Sequence, residues 1–178
     1  MQVLLTTVGG RRFALDCADV VEVLPVVAHR RTGVGPRWLM GLINVRGQLL
    51  PLVDLTQIVD AEPTALRLAS RIVVLRLEGE LFDGAATRVG LLVPEIAGPF
   101  ERSFTGEGVH PGFAFAGASH LGPTVADEHG MVQLLRCRRL LEGDAVLREL
   151  PLGAGDGDGS DGGGHGVPRG GPNGGRGG

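Results

Sequence analysis

The chain is 178 residues long, 43% hydrophobic and 21% charged, and all 17 of its Lys-plus-Arg positions are arginine, for a formal net charge of −3. These values suit a soluble globular domain and give no general attraction to nucleic acid or to an anionic membrane. Cys17 and Cys137 lie far apart and join no ligand-like cluster, so reduced thiols in a cytosolic protein are expected.

The opening MQVLLTTVGGRRF has no basic region ahead of an apolar core, unlike a secretory signal. No apolar run approaches the roughly 18 residues needed to span a bilayer. VLLTTV and RRFALD read as two short strands separated by Gly9-Gly10, a natural turn. Phe13 and Leu15 alternate with Arg12, Ala14 and Asp16, which predicts one buried face. DCADVVEVL then switches period. Asp16 can cap a short helix carrying Val20, Val21 and Leu24 at helical spacing, closed by Pro25.

GLINV and QLLPLVDL read as two strands around Arg46-Gly47, with Pro51 marking an edge or a bulge. Strand alternation puts one of Leu42 and Ile43 inward in a one-sided sheet. Both would be buried if two lobes packed on this strand. DLTQIVD is a candidate short helix capped by Asp54. RIVVLRLE and TRVGLLV form a second strand pair across a loop containing Gly79 and Gly84. HLGPTVA and MVQLLRC flank Asp127-Glu128-His129-Gly130, and RRLLEGDAVLREL closes the ordered part as an amphipathic helix.

Short strands with regular turn punctuation argue for an all-β fold with a few short helices. One strand-rich half runs to about Val59 and another from Arg71 to Cys137, so two small barrels sharing a core are expected, divided near residues 60–70 of a 1–150 domain. From Gly153 the chain reads GAGDGDGSDGGGHGVPRGGPNGGRGG, with almost nothing apolar to bury. The segment 151–178 is expected to be a disordered Gly-rich tail. Its Arg169 and Arg176 are outnumbered by Asp156, Asp158 and Asp161 and have no aromatic neighbour for stacking, so no nucleic-acid role is assigned to it.

The search for catalysis is short. GASHL, Gly117 to Leu121, resembles a nucleophile elbow until Leu121 replaces the required glycine, and the strand–turn–helix context is missing. A small hydrolase using Ser119 and His120 is the enzymatic alternative. Asp127 to Gly130 is more economically a hairpin loop than a ligand set. His110, His120 and His129 lack metal-site spacing, and GVGPRW lacks the length and lysine of a phosphate loop. No enzyme, metal or cofactor is called for.

Arg46 then needs another explanation. A guanidinium offers five donors in a rigid fork and keeps its charge, so burying it unpaired is costly. Gly47 beside it permits unusual backbone angles. The residues leave two readings open: a partner contact held out by the turn, or an internal pair with Glu22 or Asp54 that pins it.

The order FALDCADVVEVLP, GPRWLMGLINVRGQLLPLVDL, RIVVLRLE and TRVGLLVPEIAG resembles the CheW-like domain, which forms the coupling proteins of bacterial chemosensory arrays and the regulatory end of their histidine kinases. The resemblance spans Met1 to about Glu142, and Gly41, Asn44, Arg46-Gly47, Pro51 and Asp54-Leu55 match its central motif together. It implies two five-stranded SH3-like barrels around a shared hydrophobic core, with the first strand joining the second barrel. It also implies a non-enzymatic adaptor that contacts a CheA-type histidine kinase through the kinase's CheW-like domain. The same adaptor would grip the cytoplasmic tip of a methyl-accepting-type chemoreceptor, so the protein would be cytoplasmic and recruited to membrane arrays without inserting. By position, Glu22 and Arg46 match polar contact residues of the family, with Asn44 in the same turn and Val20, Val23 and Val45 as apolar neighbours lining the surface.

The chain departs from the family's pattern at Val93-Pro94, in the long loop EGELFDGAAT and in the Phe- and Gly-rich stretch from Glu101 to Gly117. These departures bear on the second lobe and point to an adaptor of a specialised pathway rather than a flagellar one. A β-barrel binding module serving partners outside chemosensory arrays is the other alternative.

Overall fold

The computed structural model describes residues 1–31, 33, 35–60, 62–77, 87–112 and 118–140. The loop expected over 78–86, most of the closing helix and the Gly-rich tail lie outside the described residues. Among the described residues ten strands fall in two five-stranded sheets, with two short α-helices and one 3-10 turn. Among the described residues no helix is long and apolar enough to cross a membrane.

The chain opens with β1 (Gln2–Val8) and β2 (Arg11–Asp16), an antiparallel hairpin in which Val8 faces Arg11. Gly9 and Gly10 both take positive φ (55° and 75°), as a two-residue turn matched to strand twist requires. Asp16 does act as a cap, its carboxylate accepting from the Ala18 N–H at 3.0 Å, but the helix it starts is only the 3-10 turn Cys17–Asp19. Val20–Pro25 is not helical. It forms β3, with Val20, Glu22 and Leu24 half-buried and Val21, Val23 and Pro25 exposed. Four apolar residues among six positions fit both periods, and pairing with a neighbouring strand decides for period two.

Next come β4 (Leu39–Val45), β5 (Gln48–Asp54) and α1 (Leu55–Asp60), then β6 (Arg71–Leu77) and β7 (Thr87–Val93). Together with β3 they form one sheet, ordered β3-β6-β7-β5-β4. β5 is interior, so Pro51 does not mark an edge strand. Its pairing with β7 begins only at Leu52, which leaves the missing N–H of Pro51 outside that ladder. Asp54 caps α1 as expected, accepting from the N–H groups of Thr56 (2.9 Å) and Gln57 (3.4 Å).

The second sheet comprises β8 (Ala97–Glu101), β9 (Leu121–Asp127) and β10 (Gly130–Leu135), joined by the N-terminal hairpin in the order β8-β1-β2-β10-β9. α2 (Cys137–Leu140) follows. The sheets therefore do not divide near residues 60–70. The chain changes sheet after Asp16 and again after Val93, because β6 and β7 fill the interior of the first sheet and β2 pairs in parallel with β10. Asp127–Gly130 is the expected hairpin connection, with Asp127 opposite Gly130.

Among the described residues three apolar clusters follow from strand alternation. Ile43, Val45, Leu50, Leu52, Ile72, Val74 and Leu92 fill the inside of the first sheet. Val3, Ala14, Phe104 and Val132 fill the second. The largest lies between the sheets, where Phe13, Leu15 and Leu135 meet Val53, Val73, Leu75 and Leu91. Successive residues of β6 alternate between the inner and the shared core, so this strand is buried on both faces. The same holds for β2. Ala14, read from the sequence as part of an open face, is fully buried beside Val3. β4 is one-sided at Leu42-Ile43, with Ile43 1% exposed and Leu42 half-buried.

Candidate functional site

The candidate site is assembled where the edges of the first sheet approach one another. β4 and β5 are joined by a two-residue turn in which Val45 faces Gln48, and Arg46 and Gly47 both have positive φ (51° and 88°). That is the backbone of a type I′ hairpin turn. Gly47 adopts it without strain. Arg46 is the one non-glycine residue with positive φ among the described residues, a conformation that L side chains seldom take. Asn44 secures the turn by accepting the Gly47 N–H on its side-chain oxygen at 2.8 Å.

The turn holds the Arg46 side chain largely in solvent, 82% exposed, yet its Nη2 donates to Oε2 of Glu22 at 3.0 Å. Glu22 lies on β3, at the opposite edge of the same sheet, and its side chain is only 20% exposed. Below this pair, Arg30 closes the same gap with backbone bonds to Leu42, 2.9 Å in each direction. Gly41 makes that approach possible. A Cβ there would lie 2.0 Å from the Arg30 carbonyl oxygen.

The sequence-derived site residues separate into two groups. Glu22, Asn44 and Arg46 come together at the surface. Val23 is also exposed, on the outward face of β3. Val45 does not line the surface. Strand alternation turns it inward, 8% exposed in the first sheet's own core. Val20 is half-buried against the core between the sheets. Two exposed apolar residues were missed: Val21 (43%) on β3, and Leu49 (52%), which faces Asn44 across the hairpin. Once Val45 is placed inward, alternation sends Asn44 outward and its cross-strand partner Leu49 with it.

The alternative centres are differently built. Ser119 and His120 sit in a turn that leads into β9, not in a strand-to-helix elbow, and no hydrogen bond joins their side chains among the described residues. Burial holds His120 below the usual histidine range. The Cys137 thiol is pushed up to about 12 by burial, then by the nearby Asp19 and Asp16, so its thiolate is disfavoured. Among the described residues no three metal-ligating side chains form a group.

Comparison with known proteins gives a consistent picture. Residues 2–145 match the family model described as the CheW-like domain. A curated relative, Protein PilI of Pseudomonas aeruginosa, is 36% identical over 90 residues, covering 51% of this chain and 47% of the relative. The chain thus matches about half the length of that relative. The crystal structure of the scaffolding protein TtCheW from Thermoanaerobacter tengcongensis superposes with a TM-score of 0.64 at 19% identity, covering 79% of this chain and 92% of the other. That likeness is one of fold.

Proposed function

Because this chain belongs to the CheW-like domain family, we propose that it is a chemosensory adaptor coupling the cytoplasmic tip of a methyl-accepting-type receptor to the CheW-like regulatory domain of a CheA-type histidine kinase. It works by binding alone. The likeness to PilI supports a chemosensory-like system. The observation that carries the reading is the Arg46 turn. A permanent cation sits in an uncommon backbone conformation at the surface, in a turn fixed by Asn44, and pairs with Glu22. Exposed Val21 and Val23 flank Glu22 in β3, and exposed Leu49 lies across from Asn44. Exposed charged groups and exposed apolar residues in the same strands and turn are suited to a modest, reversible protein interface.

Titration calorimetry with a purified kinase regulatory domain, and separately with a receptor-tip fragment, tests it. Both should bind the wild-type chain, and Arg46→Ala should weaken at least one of them with the fold intact. Binding to neither, from kinase and receptor of the same cell, would refute the proposed coupling. Ester turnover abolished by Ser119→Ala would refute the claim that the chain acts by binding alone.

A further inference from the structure

At the other end of β4 from Arg46, a cleft of about 430 Å³ opens between the connection leading into β4 and the segment after α1. β4 has seven residues, so the cleft and the Arg46 turn lie roughly 20 Å apart. Its walls include His29, Arg31, Arg37, Leu39, Met40 and Leu66. Two independent features mark its rim.

The first is charge. Arg31 and Arg37 in the wall, Arg30 next to Arg31 and Arg67 next to the lining residue Leu66 are all exposed, and none makes an ion pair with a described residue. The Asp54 carboxylate that also lines the cleft is buried and held by Thr64. Elsewhere Arg11, Arg12, Arg46, Arg102 and Arg138 each face a carboxylate. The whole chain carries −3, so this local excess does not reflect a basic protein.

The second is a braced turn that presents leucines. At its start Thr64 is anchored on the buried Asp54 carboxylate through its N–H (2.8 Å) and its hydroxyl (2.6 Å). At its end Ser70, 1% exposed, accepts the Arg67 N–H on Oγ and donates its own N–H to the Arg67 carbonyl, both at 3.0 Å. The Arg71 guanidinium donates to the carbonyls of Leu68 (2.6 Å) and Ser70 (2.8 Å). Between these anchors Leu66 is 56% and Leu68 99% exposed. Apolar side chains held out on a fixed turn, next to unpaired cations, match the composition of a recognition surface.

We propose that this face docks an acidic protein segment carrying apolar anchors. Its carboxylates pair with Arg31 and Arg37, and an apolar side chain packs on Leu66 in the cleft wall and on Leu68, two residues further along the braced turn. The surface is separate from the Arg46 turn, so it gives the adaptor a further contact.

The test is fluorescence anisotropy of the full chain with a labelled synthetic peptide of repeating Glu-Glu-Leu. Matching peptides carry Gln for Glu or Ser for Leu, a fourth has the sequence from Gly153 to Gly164, and phosphatidylglycerol vesicles provide a lipid arm. The Glu/Leu peptide should bind, and either substituted peptide should bind about tenfold more weakly or worse. The double variant R31E/R37E should lose a similar factor, and L66S/L68S several-fold, both with an unchanged thermal transition. Binding insensitive to both double variants would overturn the proposal. Equal affinity for the Ser-substituted peptide would overturn the apolar half of it. Tighter binding of the Gly153–Gly164 peptide would make the chain's own acidic run the occupant. A preference for the vesicles over every peptide would make it a lipid surface.

Discussion

Arg46 and Glu22 stand 24 residues apart in the chain and 3.0 Å apart in space, joining opposite edges of one sheet through an ion pair whose arginine is almost wholly in solvent. Such an exposed pair contributes at most about 1 kcal/mol to folding. Arg46→Ala should therefore shift the urea unfolding free energy by less than about 1 kcal/mol, while partner affinity falls by about 2–5 kcal/mol. Arg46→Lys should recover only part of that loss, because an ammonium lacks the planar fork. Arg46→Gly separates backbone from side chain. It should raise stability by about 1 kcal/mol through relief of the positive φ, yet bind as poorly as the alanine variant. Unfolding and calorimetry on the same samples decide. Unchanged affinity with a lowered unfolding midpoint would return Arg46 to a structural role.

Gly41 offers a test of how the sheet edge is closed. Its φ is 145°, and an added Cβ would meet the Arg30 carbonyl oxygen at 2.0 Å. Gly41→Ala should force residues 30 and 31 away from β4 and cost about 2–4 kcal/mol, combining backbone strain with two lost hydrogen bonds. Amide exchange should show the Arg30 and Leu42 N–H groups losing protection first. Retained protection at both would mean that the bridge tolerates the side chain.

The inner core predicts a contrast between neighbours. Ile43→Ala, at a site 1% exposed, should cost about 2–5 kcal/mol, whereas Leu42→Ala, half-buried, should cost about 1–2 kcal/mol. Denaturant titration of the two variants would show equal losses only if β4 were covered on both faces.

Asp127 gives a pH prediction. The Arg12 guanidinium, donating at 2.5 and 3.0 Å, holds its carboxyl well below the usual carboxylate range, helped by the His129 N–H and Arg102. In acid the unfolded chain takes up this proton before the folded one does. The stabilisation is therefore complete above the ordinary carboxylate value of about 4 and is lost as pH falls below it. Asp127→Asn should lower stability at neutral pH by about 1–3 kcal/mol and flatten the decline below pH ~4. Parallel acid slopes in urea titrations of the two proteins would exclude Asp127 as the titrating group.

Much of the fold was legible because its signals were local. Gly9-Gly10, Arg46-Gly47 and the Asp54 cap each act within a few residues, and each stands where the sequence puts it. Sheet membership depends on partners distant in the chain. Nothing near Phe13 announces that its strand runs parallel to the one holding Gln133. Val20 to Leu24 failed for another reason, since their apolar spacing satisfies both periods and only pairing with Val73 and Val74 chooses. Of the site, the polar members were readable from the turn. Val45 was misplaced because a motif position says nothing about which face of a strand it occupies.

The second sheet takes strands from both ends of the described chain, which has a consequence during synthesis. Phe13 leaves the ribosome about 120 residues before Gln133, its neighbour in β10. At ordinary translation rates that interval is roughly 6–24 s. For most of it the β1–β2 hairpin has no third strand, an arrangement marginally stable at best in water. β8 then adds to β1, and the sheet is complete only when β9 and β10 follow. Strands β3 to β7 are contiguous and can assemble meanwhile, offering Phe13 and Leu15 their neighbours in the first sheet, while Val3 and Ala14 wait for Val132. A ribosome stalled before Val132 would thus hold an adhesive intermediate, and truncated products ending there should appear in the insoluble fraction bound to holding chaperones.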